Sequence, residues 1–426
     1  MIHPDDPQHQ AWLDEEARRL MAWARGSAHP AGGFGWRSAT GELKWEHGRQ
    51  LWVNCRMVHC LALGQLAGLS RDDDLLADGI AVLRSDFHDP EFGGWYADAD
   101  APGDGTKETY GHAFVILAAS TATLAGVDGA RELLDDALET TLTRLWDPAT
   151  DMPVDATDRE FAVVRPYRGG NSAMHLVEAL LAATDATGSP VYLERAHRIA
   201  QVLIPKAQIL GWRMPEHYDS AWEVDRGYNR DRPSDPFRPY GVTPGHGLEW
   251  ARLLLLMDGL MGQTRGWLKA AAEGLATTAI EDAWDTEIGG FAYTTDFAGT
   301  PVVRERFHWV ACEAVGAAWA LWRTTGDPYW AASYSAVWAW TREFLIDPAH
   351  PGGWRHELSA TNDPVARTWP DRPDVYHALQ AVLCPPLAPT PGLALSLAQR
   401  MHAGSHPESR VDNGEIGILD LPRSGA

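Results

Sequence analysis

Cysteine is scarce in this sequence. Only four of the 426 residues are cysteine, and Cys55, Cys60, Cys312 and Cys384 each lie singly within an apolar segment. They form neither a CxxC pair nor the set of paired positions that a disulfide framework requires. We therefore expect four reduced thiols in the protein core.

Positive charge and long apolar runs are also lacking. Asp and Glu outnumber Lys and Arg by 58 to 36, which gives a net charge of -22 and argues against a nucleic acid partner. No apolar run approaches the roughly 18 residues that a membrane span needs. The first residues, MIHPDDPQHQ, do not resemble a secretory leader. We expect a soluble cytoplasmic protein with no membrane partner.

Alternating strand patterns are few, and a repeat is present instead. Five segments join a small glycine turn to an aromatic residue: AGGFGWRS (31–38), FGGWYADA (92–99), LGWRMPEH (210–217), IGGFAYTT (288–295) and PGGWRHEL (351–358). DMPVDATDREF (151–161) is a degenerate sixth copy. An apolar run with helical spacing follows each turn after a polar loop. A period of about sixty residues fits one helical hairpin and a long loop per repeat.

Six hairpins predict an all-α fold. We expect a single (α/α)6 barrel over residues 1–402, with short β-hairpins in its loops and a polar, flexible tail over residues 403–426. The amphipathic helix of each repeat should lie outside and the more apolar helix inside. Because all inner helices then run in the same direction, their N-termini gather at one end, where we expect the pocket.

Histidines recur at the predicted starts of the inner helices. Each follows a plausible capping residue by three positions, in the pairs Ser172 and His175, Thr243 and His246, Asp374 and His377, and Thr109 and His112. Possible hydrogen-bonding partners stand one turn beyond three of them, namely Glu178, Glu249 and Gln380. Taken singly, each histidine is best explained as a capping or solvated group. Their convergence at one end of a barrel indicates a functional site.

The chemistry of this end points to proton transfer on a sugar. A helix N-terminus disfavours imidazolium, so the histidines should be neutral and able to accept and return a proton. Arg56, in the first inner helix, is a fixed cation for a developing oxyanion. Trp52, Tyr110 and Trp309 offer flat faces to a sugar ring. The residues therefore predict a carbohydrate ligand and proton transfer next to a carbonyl.

Four segments resemble a known family. They are CRMVHCLALG (55–64), RPYRGGNSAMHLVEALLAATDATG (165–188), PGHGLEWARLLL (244–255) and DVYHALQAVL (374–383). Together they are similar to the N-acylglucosamine 2-epimerase superfamily, and in particular to its aldose-ketose isomerase branch of mannose and sulfoquinovose isomerases. Members of that superfamily are (α/α)6 barrels. The resemblance covers nearly the whole chain.

The resemblance implies a role for each matching residue. Arg56 would hold the substrate oxygens, His246, Glu249 and His377 would be catalytic, and the sugar contacts would be Asn171, His175, Tyr110, Trp309, Glu313 and Gln380, with Trp52 as a further aromatic face. The implied reaction moves a proton between C1 and C2 of an open-chain aldose through a cis-enediol. His246 with Glu249 would open the ring, and His377 would be the base at C2. Gly170 stands where many relatives carry Gln.

Several alternatives remain open from the sequence. The favoured substrates are D-mannose and, as a side activity, D-lyxose, which give D-fructose and D-xylulose. A sulfoquinovose isomerase would need a cation for the sulfonate, from among Arg168, Arg230, Arg232 and Arg238. A sugar 2-epimerase, an inverting glycoside hydrolase using Glu249 and Glu313, and a non-catalytic sugar-binding protein are the other interpretations. The protein should be a monomer or homodimer.

We expect no metal and no other cofactor. The HxxE patterns at 175–178 and 246–249 resemble halves of a metal site. Acidic residues show no clear excess among the inner-helix positions, however, and the helix dipoles would repel a cation.

Overall fold

Helical hairpins make up most of the structure, a computed structural model that describes residues 2–404. The inner helices are α2 (Leu51–Leu66), α4 (Thr109–Leu124), α6 (Gly170–Thr187), α8 (Pro244–Leu260), α10 (His308–Thr325) and α12 (Tyr376–Leu383). The outer helices are α1 (Pro7–Arg25), α3 (Asp73–Arg84), α5 (Ala130–Arg144), α7 (Pro190–Ile209), α9 (Gly266–Ala283) and α11 (Pro328–Trp340), and α13 (Leu393–Gly404) follows them. Each inner helix packs against the next, and α12 packs against α2. This ring confirms the predicted (α/α)6 barrel.

The apolar pattern of each helix explains its layer. In α2 the consecutive residues Cys60, Leu61, Ala62 and Leu63 are all buried, because neighbours cover the inner helix on every side. In α5 only one stripe is buried, whereas Arg131 and Asp135 form an ion pair on the exposed face. The four cysteines are buried and unpaired, as predicted.

Short antiparallel pairs connect the loops between helices. The strands are β1 (Trp36–Arg37), β2 (Leu43–Lys44), β3 (Lys107–Glu108), β4 (Trp146–Asp147), β5 (Met152–Pro153), β6 (Ala156–Thr157), β7 (Arg168–Gly169), β8 (His217–Tyr218), β9 (Thr294–Thr295), β10 (Pro301–Val303), β11 (Arg306–Phe307) and β12 (Glu357–Leu358). Three of these pairs join strands that precede the inner helices of neighbouring repeats. They are β3 with β6, β7 with β8, and β11 with β12. They fix the starts of adjacent inner helices relative to one another.

The predicted glycine turns lie between each outer helix and the next inner helix. Gly94 shows why glycine is needed there: its φ is +69°, and a Cβ would lie 2.7 Å from His112 Nε2. A 3-10 turn at Trp45–His47 and a π-helical turn at Thr341–Leu345 complete the regular elements of the described residues.

The last helix packs across the end of the ring opposite these loops. α13 contacts α2, α4 and α6, and the carboxylate of Asp185 on α6 accepts a hydrogen bond of 2.8 Å from the Gly392 N–H. The tail predicted over residues 403–426 lies outside the described residues, apart from the last two residues of α13. Within residues 2–404, no helix has the length and apolar composition that crossing a membrane would require.

Candidate active site

A pocket of about 750 Å³ lies where the inner helices begin. Most of the predicted site residues line it: Trp52, Arg56, Tyr110, Asn171, His175, His246, Glu249, Trp309 and His377. The loops add Pro236, Phe237, Pro239, Tyr293, Trp369 and Pro373. The expectation that the helix starts converge on one pocket is thus met. The roles predicted for the individual residues stay predictions.

Two histidines of the pocket are each held by a buried carboxylate. His246 Nδ1 lies 2.8 Å from Glu216 Oε1, and His377 Nδ1 lies 2.9 Å from Glu313 Oε1. Since a carboxylate only accepts, each Nδ1 carries the hydrogen and donates it. Neither Nε2 has a hydrogen-bond partner among the described residues. Burial, followed by the charge of Arg56, holds the pKa of His377 well below its ordinary value. His377 is therefore neutral, with the lone pair of its Nε2 available.

The partners of these histidines differ from the predicted ones. Glu249 makes no hydrogen bond with His246, and Gln380 makes none with His377. One turn further along an inner helix the side chain lies deeper in the barrel, with Glu249 at the floor of the pocket and Gln380 below it, so each partner comes from elsewhere in the chain. Glu313 is on α10, and Glu216 lies in the glycine turn before β8. Neither pairing has a signal in local spacing.

Gly170 explains how Glu216 reaches the site. The Gly170 N–H donates a 2.8 Å bond to the Glu216 carbonyl, and a Cβ at this position would lie 2.9 Å from the Pro215 carbonyl oxygen. Glycine therefore lets the turn that carries Glu216 approach the start of α6. The packing at this position therefore depends on Gly170 having no side chain.

The predicted caps are only partly observed. Thr243 is the N-cap residue of α8 and Pro244 its first residue, as expected, but the Thr243 hydroxyl makes no capping bond. Ser172 lies inside α6 and donates to Asp155 instead. Val375, and not Asp374, is the N-cap residue of α12, although Asp374 Oδ1 accepts from the Tyr376 N–H at 2.9 Å.

Arg56 is a fixed cation in the wall of the pocket. Its Nη1 donates to Asp374 at 3.2 Å and its Nη2 to the Tyr110 hydroxyl at 3.3 Å. The guanidinium carbon lies 5.0 Å from the ring centre of Trp52 and 4.5 Å from that of Phe114. These contacts hold the group in one orientation, which favours stabilisation of a nearby anion.

Trp309 lies against both partnered histidines. Its ring centre is 5.1 Å from that of His246 and 5.7 Å from that of His377. A Cβ on Gly245 would lie 2.5 Å from the indole, so the glycine in PGHG allows this close approach. An aromatic face beside two histidines suits a sugar whose carbon-bound hydrogens pack on the ring.

The floor of the pocket is acidic, whereas the sequence predicted no clear excess of acidic residues among the inner-helix positions. His175 Nδ1 lies 3.3 Å from Glu178 Oε2 and 3.7 Å from Glu249 Oε1. Ligand atoms of His175, Glu178 and Glu249 lie within 4.8 Å of one another, as in a metal site. Arg252 Nη2, however, is 3.6 Å from Glu178 and 3.9 Å from Glu249. A guanidinium therefore supplies the positive charge that a metal would bring.

Glu249 is a neutral acid in this floor. Only 1% of the residue is exposed, and neither carboxyl oxygen has a hydrogen-bond partner among the described residues. Burial and the nearby carboxylates of Glu313 and Glu178 raise the pKa of Glu249 well above its ordinary value. It carries a proton at neutral pH and can donate a hydrogen bond.

Two further histidines line the pocket that the sequence did not single out. His308 and His356 stack with ring centres 3.8 Å apart, and neither ring nitrogen of His308 has a hydrogen-bond partner among the described residues. Burial lowers the pKa of His308 to about 4. His308 begins α10 directly before Trp309, and His356 lies in the last glycine turn, so the repeat pattern itself could have identified both.

Several predicted positions lie outside the pocket. Gln380 lines a second cavity below the floor, and Glu313 reaches the site only through His377. His112 accepts from the Trp95 N–H at 3.3 Å and is structural. Of the loop arginines, Arg168 donates to backbone carbonyls, Arg230 and Arg232 are exposed, and Arg238 stacks on Tyr167 in a neighbouring cleft. None of these arginines lines the pocket.

An (α/α)6 barrel whose pocket holds two carboxylate-bonded histidines beside a fixed arginine fits the class of isomerases. The comparisons with known proteins agree with this class. Residues 32–381 match the family model of N-acylglucosamine 2-epimerase, and the chain belongs to this family. It is an isomerase.

The related proteins are similar over nearly their full lengths. A D-mannose isomerase from Thermobifida fusca is 44% identical over 396 residues, which are 92% of this chain and 97% of that protein. A D-mannose isomerase from Pseudomonas cannabina pv. alisalensis is 38% identical over 399 residues, 92% of this chain and 96% of that one. A solved D-mannose isomerase structure superposes with a TM-score of 0.79 and 30% identity, covering 87% of this chain and 96% of the other.

Proposed function

We propose that this protein interconverts D-mannose and D-fructose, with D-lyxose and D-xylulose as a side reaction. Two relatives named D-mannose isomerase, alike over nearly the whole of both chains, support this proposal. The observation that carries the chemistry is the pair of histidines, His246 and His377. Each has its Nδ1–H bonded to a carboxylate, and each has an unpartnered Nε2.

The proposed reaction divides proton transfer between these two histidines. His377 takes the proton from C2 of the open-chain aldose, the electron pair moves to the C1 carbonyl oxygen, and the His377 imidazolium gives the proton to that oxygen to form a cis-enediol. Arg56 stabilises the charge that develops on the oxygens of C1 and C2. His246 then takes the proton of O2 and supplies it to C1, which leaves the carbonyl at C2 and both imidazoles as they began. The Glu216 carboxylate stabilises the imidazolium form of His246 in this exchange.

Ring opening is assigned to His246 together with Glu216. The sequence paired His246 with Glu249 for this step, but Glu216 is the carboxylate at hydrogen-bond distance. Glu249, protonated and unpartnered, is instead a donor available to a sugar hydroxyl.

A neutral sugar suits the pocket better than a sulfonated one. Arg56, bonded to Asp374 and Tyr110, is the only arginine or lysine among the residues that line it. A fixed sulfonate would call for a further cation. Specificity constants for mannose, lyxose, glucose and sulfoquinovose, measured in one buffer, test this point. Mannose should lead, and a tenfold preference for sulfoquinovose would contradict the proposal.

Deuterated water separates the reaction classes. Incubation of mannose should give fructose as the first product, with exchange of the C2 hydrogen. Glucose formed before fructose would indicate an epimerase. Absence of exchange would indicate a hydrolase or a binding protein. The hydrolase is disfavoured by Glu313, whose two oxygens bond His377 and Arg252 and which does not line the pocket.

We further propose that the reaction needs no metal, because Arg252 occupies the place of a cation beside Glu178 and Glu249. Exhaustive chelation should leave turnover on mannose unchanged. Activity that is lost on chelation and restored by a divalent ion would instead make the group of His175, Glu178 and Glu249 a metal site.

A further inference from the structure

One arginine lies below the pocket among three carboxylates. Arg252 Nε donates to Glu313 Oε2 at 3.1 Å, while its Nη2 lies 3.6 Å from Glu178 Oε1 and 3.9 Å from Glu249 Oε1. The carboxylates come from α6, α8 and α10, so the single side chain connects three inner helices. Arg252 does not line the substrate pocket.

The four side chains of this group cannot all be ionised at once. Three carboxylates and one guanidinium would leave two uncompensated negative charges in a dry interior, which is strongly unfavourable. Glu249 carries a proton, because burial and Glu313 raise its pKa. Burial also acts to raise the pKa of Glu178, but bonds with His175 and the charge of Arg252 outweigh it and lower that pKa. Glu178 is therefore ionised.

Opposing influences act on Glu313. Burial, the largest of them, raises its pKa above the ordinary value, and the charge and hydrogen bond of Arg252 act to lower it. Its other oxygen, Oε1, is the acceptor for His377 Nδ1–H. The protonation and position of Glu313 therefore depend on Arg252, and the tautomer of His377 depends on Glu313.

We propose that Arg252 is a positioning residue for proton transfer: it holds Glu313 ionised and in place, so that Glu313 fixes His377 with Nε2 free to act as the base. This inference rests on the proposed function, in which His377 is that base. Arg252 acts on the reaction through Glu313 and then His377, and it does not contact the sugar itself.

Other ionisable groups surround the Arg252 and Glu313 pair. They are Arg56 and His59 on α2, His175, Glu178 and Asp185 on α6, Glu249 on α8, Tyr376 and His377 on α12, and Cys384 at its end. Burial lowers the pKa of His59 to about 4 and raises those of Tyr376 and Cys384 above their ordinary values, so these three stay neutral near pH 7. Arg56 is bonded to Asp374. Among the described residues, Arg252 is the cation that hydrogen-bonds Glu313.

Three variants test the proposal. Arg252→Met removes the charge at similar size, Arg252→Lys keeps a charge with different geometry, and Arg25→Met is the control. Arg25, the last residue of α1, is bonded at 2.7 Å to Asp72 at the start of α3 and lies outside the pocket lining. Losing an ion pair should lower the melting temperature of both Met variants, but only Arg252→Met should alter catalysis.

The expected kinetic result is specific to positioning. Arg252→Met should lower kcat by about tenfold or more, as for removal of a group that orients a catalytic histidine, with little change in KM. The acid limb of its pH profile should move to higher pH, because the pKa of Glu313 rises when the cation beside it is removed. Arg252→Lys should retain the position of that limb. An Arg252→Met enzyme with the kcat and the pH profile of the wild type would overturn the proposal.

A second measurement does not depend on activity. In protein labelled with ¹⁵N at histidine, NMR should show His377 as the Nδ1–H tautomer, and Arg252→Met should change that signal while Arg25→Met leaves it unchanged. If Arg252→Met does not fold, Arg252→Gln takes its place in both experiments. A wild-type protein inactive on mannose would defeat the proposed function alone, whereas an unchanged His377 signal would defeat the role of Arg252.

Discussion

The two walls of the pocket carry different chemistry. The cation wall, formed by Trp52, Arg56, Tyr110, Asn171 and His175 from α2, α4 and α6, presents a guanidinium already bonded to Asp374 and Tyr110. The histidine wall, formed by His246, Trp309 and His377 from α8, α10 and α12, presents two imidazoles with unpartnered Nε2 atoms. In the proposed reaction, the first half of the barrel holds and polarises the sugar while the second half moves its protons.

The largest expected effect is on the histidine wall. His246→Asn and His377→Asn should each lower turnover on mannose by about a hundredfold to ten-thousandfold, the usual cost of losing a general acid or base. His197→Asn is the matched control, because His197 lies on the outer helix α7 and is buried there against Trp267 of α9. Steady-state kinetics of the folded variants check this. A near wild-type rate in either pocket variant would remove the contrast between the walls.

The next effect falls on the cation wall. Arg56→Met should lower kcat by about a hundredfold, as expected when a fixed donor to a developing oxyanion is lost. Arg56→Lys keeps the charge without the paired contacts, so its kcat should lie between those of the wild type and Arg56→Met. If Arg56→Met raises KM and leaves kcat unchanged, this wall binds the sugar without stabilising the transition state.

A smaller effect is expected behind the histidine wall. Glu216→Gln keeps the shape of the side chain but removes the charge that stabilises His246, so kcat should fall by about tenfold. The double variant Glu216→Gln with His246→Asn gives a sharper result. If Glu216 acts only through His246, Glu216→Gln causes no further loss in the His246→Asn background. Additive losses would mean that Glu216 has a separate role.

The smallest expected effect lies outside both walls, at the far end of the barrel. Burial raises the pKa of Asp185 from 3.8 to about 6. The folded protein thus binds this proton more tightly than the unfolded chain, and stability is lost as pH rises through that interval. Asp185→Asn should raise the melting temperature at pH 7.5 by about 1–2 °C, and not at pH 4. Equal shifts at both values would contradict this pH linkage, and turnover should not change.

The barrel could be predicted from sequence because its information is local. The sequence of each repeat contains its own glycine turn and helical period, so six hairpins can be predicted without knowing how they pack together. Convergence of Arg56, His246 and His377 then follows from the direction of the inner helices. The placement of α13 across the ring has no such periodic signal, and the sequence did not predict it.

The side-chain pairings could not be predicted in the same way. His246 pairs with Glu216, thirty residues earlier, and His377 pairs with Glu313, 64 residues earlier. Such contacts depend on the rotation of each helix about its own axis and on the course of the loops between repeats. Arg252 went unnoticed for the same reason, since a single arginine in EWARLLL gives no sign of three carboxylates around it.

The position of α13 has a consequence for how the enzyme exchanges its ligands. Because this helix packs over the far end of the ring, the aldose and ketose of the proposed reaction would share one opening, beside Phe237 and Trp369. Each sugar then competes with the other for one site, and accumulating ketose slows the forward rate by occupancy alone. The final mixture, as with any catalyst, reflects the relative stabilities of the two free sugars in water.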